Sequence, residues 1–441
     1  MPFDPAFASI FPRTTAVVDG RLSIAGCDAQ ELTREFGSPL YVFDEVEVRE
    51  TCREYVDAFT SRHADTEITY ASKAYLSRWM ANLAREEGIG LDIVSGGEFA
   101  VARAAGFPAE RCHFHGNNKG EQELRETIDA GIGRVIVDNF HELELVDTVA
   151  RALGKVQRII LRLSPGVDPH THAKTTTGTL DNKFGLPLST GHAEQAVVDA
   201  QRLAGVDLVG LHCHLGSPLF SVEPYDEANA IMLGFAAEMR AKHGLDLREY
   251  SPGGGFASQY LREKPAPPVD DYAEAIVSSF KRRCAENGLP PPHLFVEPGR
   301  SLVARAGVAL YTVGSSKHVE GLRTWVSVDG GMADNIRPAI YDARYEAVVA
   351  NRADDPATET VTIAGKYCES GDILVKDAHL PPTRPGDVIA LPASGAYCLT
   401  MASNYNMALR PAVVVVQDRR ARVIRRRETY ADLLATDVFA G

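Results

Sequence analysis

From about residue 67 the chain alternates between short apolar runs and longer stretches with apolar positions at helical spacing. ITYAS (68–72) reads as a strand. Leu76, Trp79, Met80, Leu83 and Ala84 then follow one helical face until Gly88 stops it. LDIVS (91–95), CHFHG (112–116), RVIVD (134–138), RIILRLS (158–164), LVGLHCHLG (208–216), REYSPGG (248–254) and HLFVEPG (293–299) continue the series. Strict strand–helix alternation implies a parallel sheet, and eight such units across about 230 residues favour a closed (β/α)8 barrel. A doubly wound open sheet fits the same count.

After residue 300 the period changes. VALYTVGSSKHV, TWVSVDG, ETVTIAG, DVIALPAS, AVVVVQD and ARVIRRRE are β-branched or aromatic runs set between turn residues, which predicts a mainly β C-terminal domain. TTAVVDGRLSIAG (14–26) reads as a hairpin turning at Asp19-Gly20. The expected organisation is an N-terminal segment, 1–45, packing with the β domain, a barrel over 46–300, and the β domain over 301–441. The polar stretch 165–185 has no pattern, and a loop of that length is a functional candidate.

Composition narrows the function. With 46 Lys+Arg against 59 Asp+Glu the formal charge is −13, so no broad field attracts nucleic acid or an anionic membrane. Any anionic substrate must be held by local cations. Seven scattered cysteines without a CxxC pair suit a reducing compartment. The N-terminus shows no secretory pattern, and no run approaches about 18 apolar residues. A cytoplasmic protein without membrane or nucleic-acid partners is expected.

Several chemical residues fall where strands end. Lys73 follows the first strand, His214 and Ser217 the sixth, Gly253, Gly254 and Gly255 the seventh, and Glu297-Pro298-Gly299-Arg300 the eighth. In a (β/α)8 barrel that rim is the catalytic face, with a phosphate site commonly beside strands seven and eight. Taken singly, the lysine also fits a solvated surface, the glycines a tight turn, and Glu-Pro-Gly-Arg an ordinary turn. His212 and His214 alternate onto one strand face, but no third metal ligand is evident near them, so no metal is assigned.

YASKAY, LDIVSGGE, HFHGNNK, HCHLGS, GGGF, VEPGRSLV, DGGMADNIRPAIY, CESGD and SGAYCLTMASNYN occur in that order from about residue 15 to 430. The set resembles the diaminopimelate decarboxylases, within the alanine-racemase-like, fold type III pyridoxal-phosphate enzymes. The resemblance implies a pyridoxal 5'-phosphate cofactor, decarboxylation of meso-2,6-diaminopimelate to L-lysine, and a homodimer with shared active sites. By the same resemblance Lys73 holds the cofactor as a Schiff base. A neutral amine is needed for that attack, so a buried setting or a neighbouring cation is expected. Glu297 faces the pyridine nitrogen, and His214 packs against the ring. Ser217, Gly253, Gly254, Gly255, Pro298, Gly299, Arg300 and Tyr397 contact the cofactor and its phosphate. Arg300, Arg337, Tyr341, Glu369 and Tyr397 bind substrate. Cys368 reprotonates the carbon that loses carbon dioxide, working with Glu369 from the partner subunit.

Departures from the family pattern are Pro218, the Pro392-Ala393-Ser394 string and Cys398, all in cofactor loops. Two rival readings fit the same residues. One is a decarboxylase of the same fold acting on ornithine, arginine, a carboxylated polyamine or a carrier-bound substrate. The other is a non-catalytic relative. Arg337 argues against substrates lacking a distal carboxylate, and the presence of both Lys73 and Cys368 argues against the non-catalytic reading.

Overall fold

The computed structural model describes residues 5–167 and 182–439, so most of the polar stretch 165–185 lies outside the described residues. The chain forms two compact units. One comprises Thr51–Ala257 and Ala266–Gly299; the other comprises Met1–Glu50, Ser258–Pro265 and Arg300–Gly441.

The first unit is a barrel. Its eight parallel strands are Thr66–Ala71, Gly90–Ile93, Cys112–Phe114, Arg134–Val137, Gln157–Ser164, Val206–His212, Glu249–Ser251 and His293–Val296. The eighth pairs with the first, Val296 opposite Ile68, and this closure removes the open-sheet alternative. Each of the eight apolar runs read from the sequence overlaps one of these strands. Polar residues start the helices that follow several of them. The Ser77 and Ser95 hydroxyls accept from the Met80 and Glu98 N–H groups (both 3.2 Å), and the Asn139 amide oxygen accepts from Glu142 N–H (3.0 Å).

Inside the barrel, Ile136, Ile160, Val209 and Phe295 form a small apolar cluster. Ionisable groups are unusually frequent around it, where branched aliphatic side chains normally fill such a core. Arg134 forks onto Glu249 with bonds of 2.8 and 3.1 Å. His113 is fully buried, edge-on to Phe295 at 4.9 Å.

The lysine of the HFHGNNK motif proves structural. Lys119 Nζ donates to Gly116 O (2.8 Å), Ile136 O (2.7 Å) and Glu142 Oε1 (2.7 Å), which uses all three ammonium protons. Burial pushes its ammonium pKa down and the Glu142 carboxyl pKa up. Lys119→Ala would strand a buried carboxylate and two carbonyls, so a loss of about 3–5 kcal/mol is expected, measured as a fall in the urea midpoint.

The second unit centres on a sheet ordered Ile373–Leu380, Glu359–Ala364, Arg323–Val328, Gly307–Val319, Leu40–Asp44, Ala412–Gln417 and Arg420–Arg425, with Val388–Leu391 also pairing to Gly307–Val319. The N-terminal hairpin pairs Val18 with Arg21, and Asp19 (φ 50°) and Gly20 (φ 74°) supply the two positive-φ positions of its turn. Its Leu22 and Ile24 share one apolar core with Leu40, Val42, Val308, Leu310, Val388 and Val414. The sequence reading missed Leu40–Asp44 and Ile373–Leu380. The latter is an edge strand interrupted by Lys376, Asp377 and His379, with Asp377 at φ 54°, so its alternation is broken.

Candidate active site

Because the barrel strands run parallel, the residues after their C-terminal ends collect at one rim. Lys73 stands there in a one-turn helix, Ser72–Ala74. It is exposed, so the burial expected of it is absent. His214 is half-buried, and its Nδ1 accepts from Gly254 N–H at 3.2 Å. Burial, with the Lys73 side chain nearby, pushes the His214 imidazole well below its ordinary pKa. Gly253 N–H donates to Ser251 Oγ (3.0 Å).

The glycines answer a packing demand. A Cβ on Gly254 would sit 2.0 Å from Glu297 O, and Gly253 is held at φ 83° beside Cys213 O. Ser217 is half-buried, and Pro298 and Gly299 are buried.

Glu297 is the centre of this rim. Its side chain is almost fully buried, and His212 Nε2 lies 2.9 Å from Oε1 and 3.0 Å from Oε2. His115 Nε2 lies 3.5 Å from Oε1, and the Ser251 hydroxyl is also 3.5 Å away. Burial opposes ionisation, yet His212 and His115 hold the Glu297 carboxyl well below the usual range. Asp92 behaves oppositely: burial and the Glu297 charge drive its pKa well up. The pKa values of two neighbouring carboxyls are thereby pushed in opposite directions. Sequence reasoning found no third group near His212 and His214. Barrel closure supplies His115 and Glu297, whose donor atoms lie with that of His212 within 4.8 Å of one another.

The β unit holds a cluster of its own. Arg300 and Arg337 are buried at 7% and 6% exposure. Arg300 Nη1 donates to Tyr260 OH (3.1 Å), and its guanidinium stands 4.8 Å from the Tyr397 ring centroid. Tyr397 holds φ 62°, a left-handed conformation unusual for a bulky side chain. Arg337 Nη1 donates to Tyr345 OH, which contacts Cys398 Sγ at 3.5 Å. Tyr341, in the same short helix as Arg337, is half-buried. Cys368 and Glu369 stand apart in an exposed loop. Cys368 N–H donates to Asn406 Oδ1 (3.0 Å), and Asp372 closes the loop by accepting from the Tyr367 and Met332 N–H groups. All six other cysteines are buried.

Residues 45–304 match the family model described as the pyridoxal binding domain of pyridoxal-dependent decarboxylases. The chain is 44% identical over 419 residues to diaminopimelate decarboxylase of Bacillus subtilis, covering 95% of each sequence. It is 40% identical to that of Mycobacterium tuberculosis, covering 98% of each. This chain belongs to the diaminopimelate decarboxylase family. The solved M. jannaschii diaminopimelate decarboxylase in complex with L-lysine superposes with a TM-score of 0.91 at 36% identity, covering 97% of this chain and 98% of that one. The Helicobacter pylori diaminopimelate decarboxylase, also with L-lysine, gives 0.85 at 33% identity, covering 92% and 98%. The chain is a pyridoxal-phosphate-dependent lyase, and its activity is the decarboxylation of diaminopimelate to lysine that ends lysine biosynthesis.

The barrel rim of this decarboxylase fits its cofactor. Lys73 offers an amine, Glu297 an ionised carboxylate and His214 a flat ring. Ser72 Oγ, Asp92 Oδ1 and His212 Nδ1 are buried without hydrogen-bond partners among the described residues, as expected of a polar lining that receives a ligand. No helix among the described residues is long and apolar enough to cross a membrane.

Within the β unit, the Asp334 carboxylate accepts from the Tyr311 hydroxyl, from Tyr41 OH (3.1 Å) and from Gly331 N–H (3.0 Å). Burial drives its pKa up to about 6 against these bonds. The folded state therefore binds a proton that the unfolded chain releases near pH 4. Its contribution is full below about pH 4 and is lost as pH rises through about 6. The stability of the wild type minus that of Asp334→Asn is expected to fall by about 2 kcal/mol from pH 4 to 7, read from urea titrations.

Proposed function

We propose that Lys73, Glu297 and His214 hold and tune the cofactor, that Arg300, Arg337, Tyr341, Glu369 and Tyr397 bind meso-2,6-diaminopimelate, and that Cys368 delivers the proton that completes L-lysine. Bound pyridoxal phosphate supplies an electron sink for the pair left when carbon dioxide departs. The remaining tasks fall to side chains. Lys73, exposed at the rim, would supply the amine that holds the cofactor through its aldehyde. Glu297, kept anionic by His212, holds a proton on the pyridine nitrogen. Ser217, Gly253, Gly254, Gly255, Pro298 and Gly299 frame the cofactor rim, and Arg300 and Tyr397 are cofactor contacts by the family resemblance.

Arg337 carries the substrate reading. It is a buried guanidinium that no carboxylate pairs with among the described residues, so a ligand carboxylate completes its bonding. Burial disfavours its charge, but the phenols of Tyr260 and Tyr345 leave its pKa raised. Ornithine and arginine have no distal carboxylate for that position.

Cys368 and Glu369 act on the partner subunit's site in a homodimer. Their exposure supports this, as do the exposed Tyr405 (39%) and Met407 (60%) beside them, with Tyr405 OH donating to Cys368 O at 3.3 Å. The seven free cysteines favour a cytoplasmic setting. The barrel unit, 51–257 with 266–299, serves as the cofactor domain, and the remaining segments form the β domain.

A substrate panel tests the assignment. The holoenzyme should release carbon dioxide from meso-diaminopimelate and not from ornithine, arginine or a carboxylated polyamine. Comparable turnover of any of the latter overturns it.

A further inference from the structure

Tyr260 joins the two buried arginines. Its hydroxyl accepts from Arg300 Nη1 at 3.1 Å, while its ring faces the Arg337 guanidinium, 4.8 Å from the centroid. Tyr345 packs edge-on against that ring at 5.6 Å and accepts from Arg337 on its own hydroxyl. The two guanidiniums therefore share one aromatic spacer, with a charge-assisted hydrogen bond on its tip and a cation over its face. Tyr260 lies in Ser258–Pro265, the short segment after the glycine run that belongs to the β unit, as do Arg300 and Arg337. Its polar tip and flat face are used by different cations, so neither phenylalanine nor an aliphatic side chain reproduces both contacts.

We propose that Tyr260 is a specificity-determining positioning residue. It fixes the spacing between the Arg300 and Arg337 forks and so selects the length of the dicarboxylate the site accepts. This rests on the reading of Arg337 as the residue that takes the distal carboxylate. Tyr260 touches the arginines and acts through them. Removing it would let the Arg337 fork swing, which weakens substrate binding and relaxes the length requirement while leaving the cofactor chemistry intact.

The test compares Tyr260→Phe, Tyr260→Leu and Arg337→Lys holoenzymes, each verified to keep the wild-type cofactor absorbance. Carbon dioxide release is measured from meso-diaminopimelate and from its homologue one methylene shorter. Losing one charge-assisted bond in Tyr260→Phe should raise KM roughly 3- to 10-fold with kcat little changed. Losing the ring as well, in Tyr260→Leu, should raise KM about 30-fold or more and cut the preference for diaminopimelate over the shorter homologue by about tenfold. If both Tyr260 variants keep wild-type KM and preference while Arg337→Lys raises KM, the spacer role is overturned and the Arg337 reading stands. If Arg337→Lys also leaves KM unchanged, the Arg337 reading falls and takes this one with it. A folded Tyr260→Phe enzyme keeps the question decidable if Tyr260→Leu is unstable.

Discussion

Lys73→Ala is expected to remove the visible absorbance of the lysine-bound cofactor and to lower carbon dioxide release by roughly 10³-fold or more. The side chain is exposed at the rim, in a one-turn helix whose Ser72 and Ala74 are buried. Cutting it back to a methyl therefore removes an amine without opening a core cavity, and the barrel should retain its wild-type urea midpoint. This separates the chemical role from a structural one. An absorbance band that persists at wild-type intensity would show that another amine anchors the cofactor.

Cys368→Ala should leave that absorbance in place and lower kcat by about 10²- to 10⁴-fold, the range for loss of a positioned proton donor. Replacing a carbon–carbon bond to a carboxylate by a carbon–hydrogen bond requires one proton at that carbon. Among the seven cysteines only this thiol is exposed. The same variant tests the proposed homodimer with shared sites. Mixing Lys73→Ala with Cys368→Ala and allowing subunits to exchange should restore about a quarter of wild-type activity. Half the dimers are then mixed, and one of their two sites has both groups intact. No recovery, with exchange verified, would place Cys368 in its own subunit's site.

The barrel was legible because each strand is an apolar run bounded by turn residues, and parallel strands need no long-range information to be recognised. Leu40–Asp44 was not, although LYVFD is fully buried, since its partners Gly307–Val319 and Ala412–Gln417 lie hundreds of residues away. At the barrel rim, the places of Lys73, the glycine run and Glu297 after strands were readable. The groups that tune them were harder to find. His115 and His212 are 97 positions apart, 212 − 115, and only ring closure brings both to Glu297. A second HxH pair, His113 and His115, was the available signal, because alternation sends both rings to one face. Tyr260 and Tyr345 carried no motif at all. Their importance comes from standing against buried guanidiniums, which spacing along a chain does not reveal.

The strand Leu40–Asp44 has a consequence for how the molecule is made. It pairs antiparallel with Gly307–Val319 and parallel with Ala412–Gln417, Val42 opposite Val414, a separation of 414 − 42 = 372 residues. On a ribosome adding roughly 5–20 residues per second, this apolar segment is synthesised about 20–70 s before its last neighbour exists. The barrel, whose strands end at Val296, has all its sequence available well before then. Biogenesis is thus ordered by the chain itself, with a nascent barrel carrying a sticky, half-paired ribbon at its front until the final strands emerge.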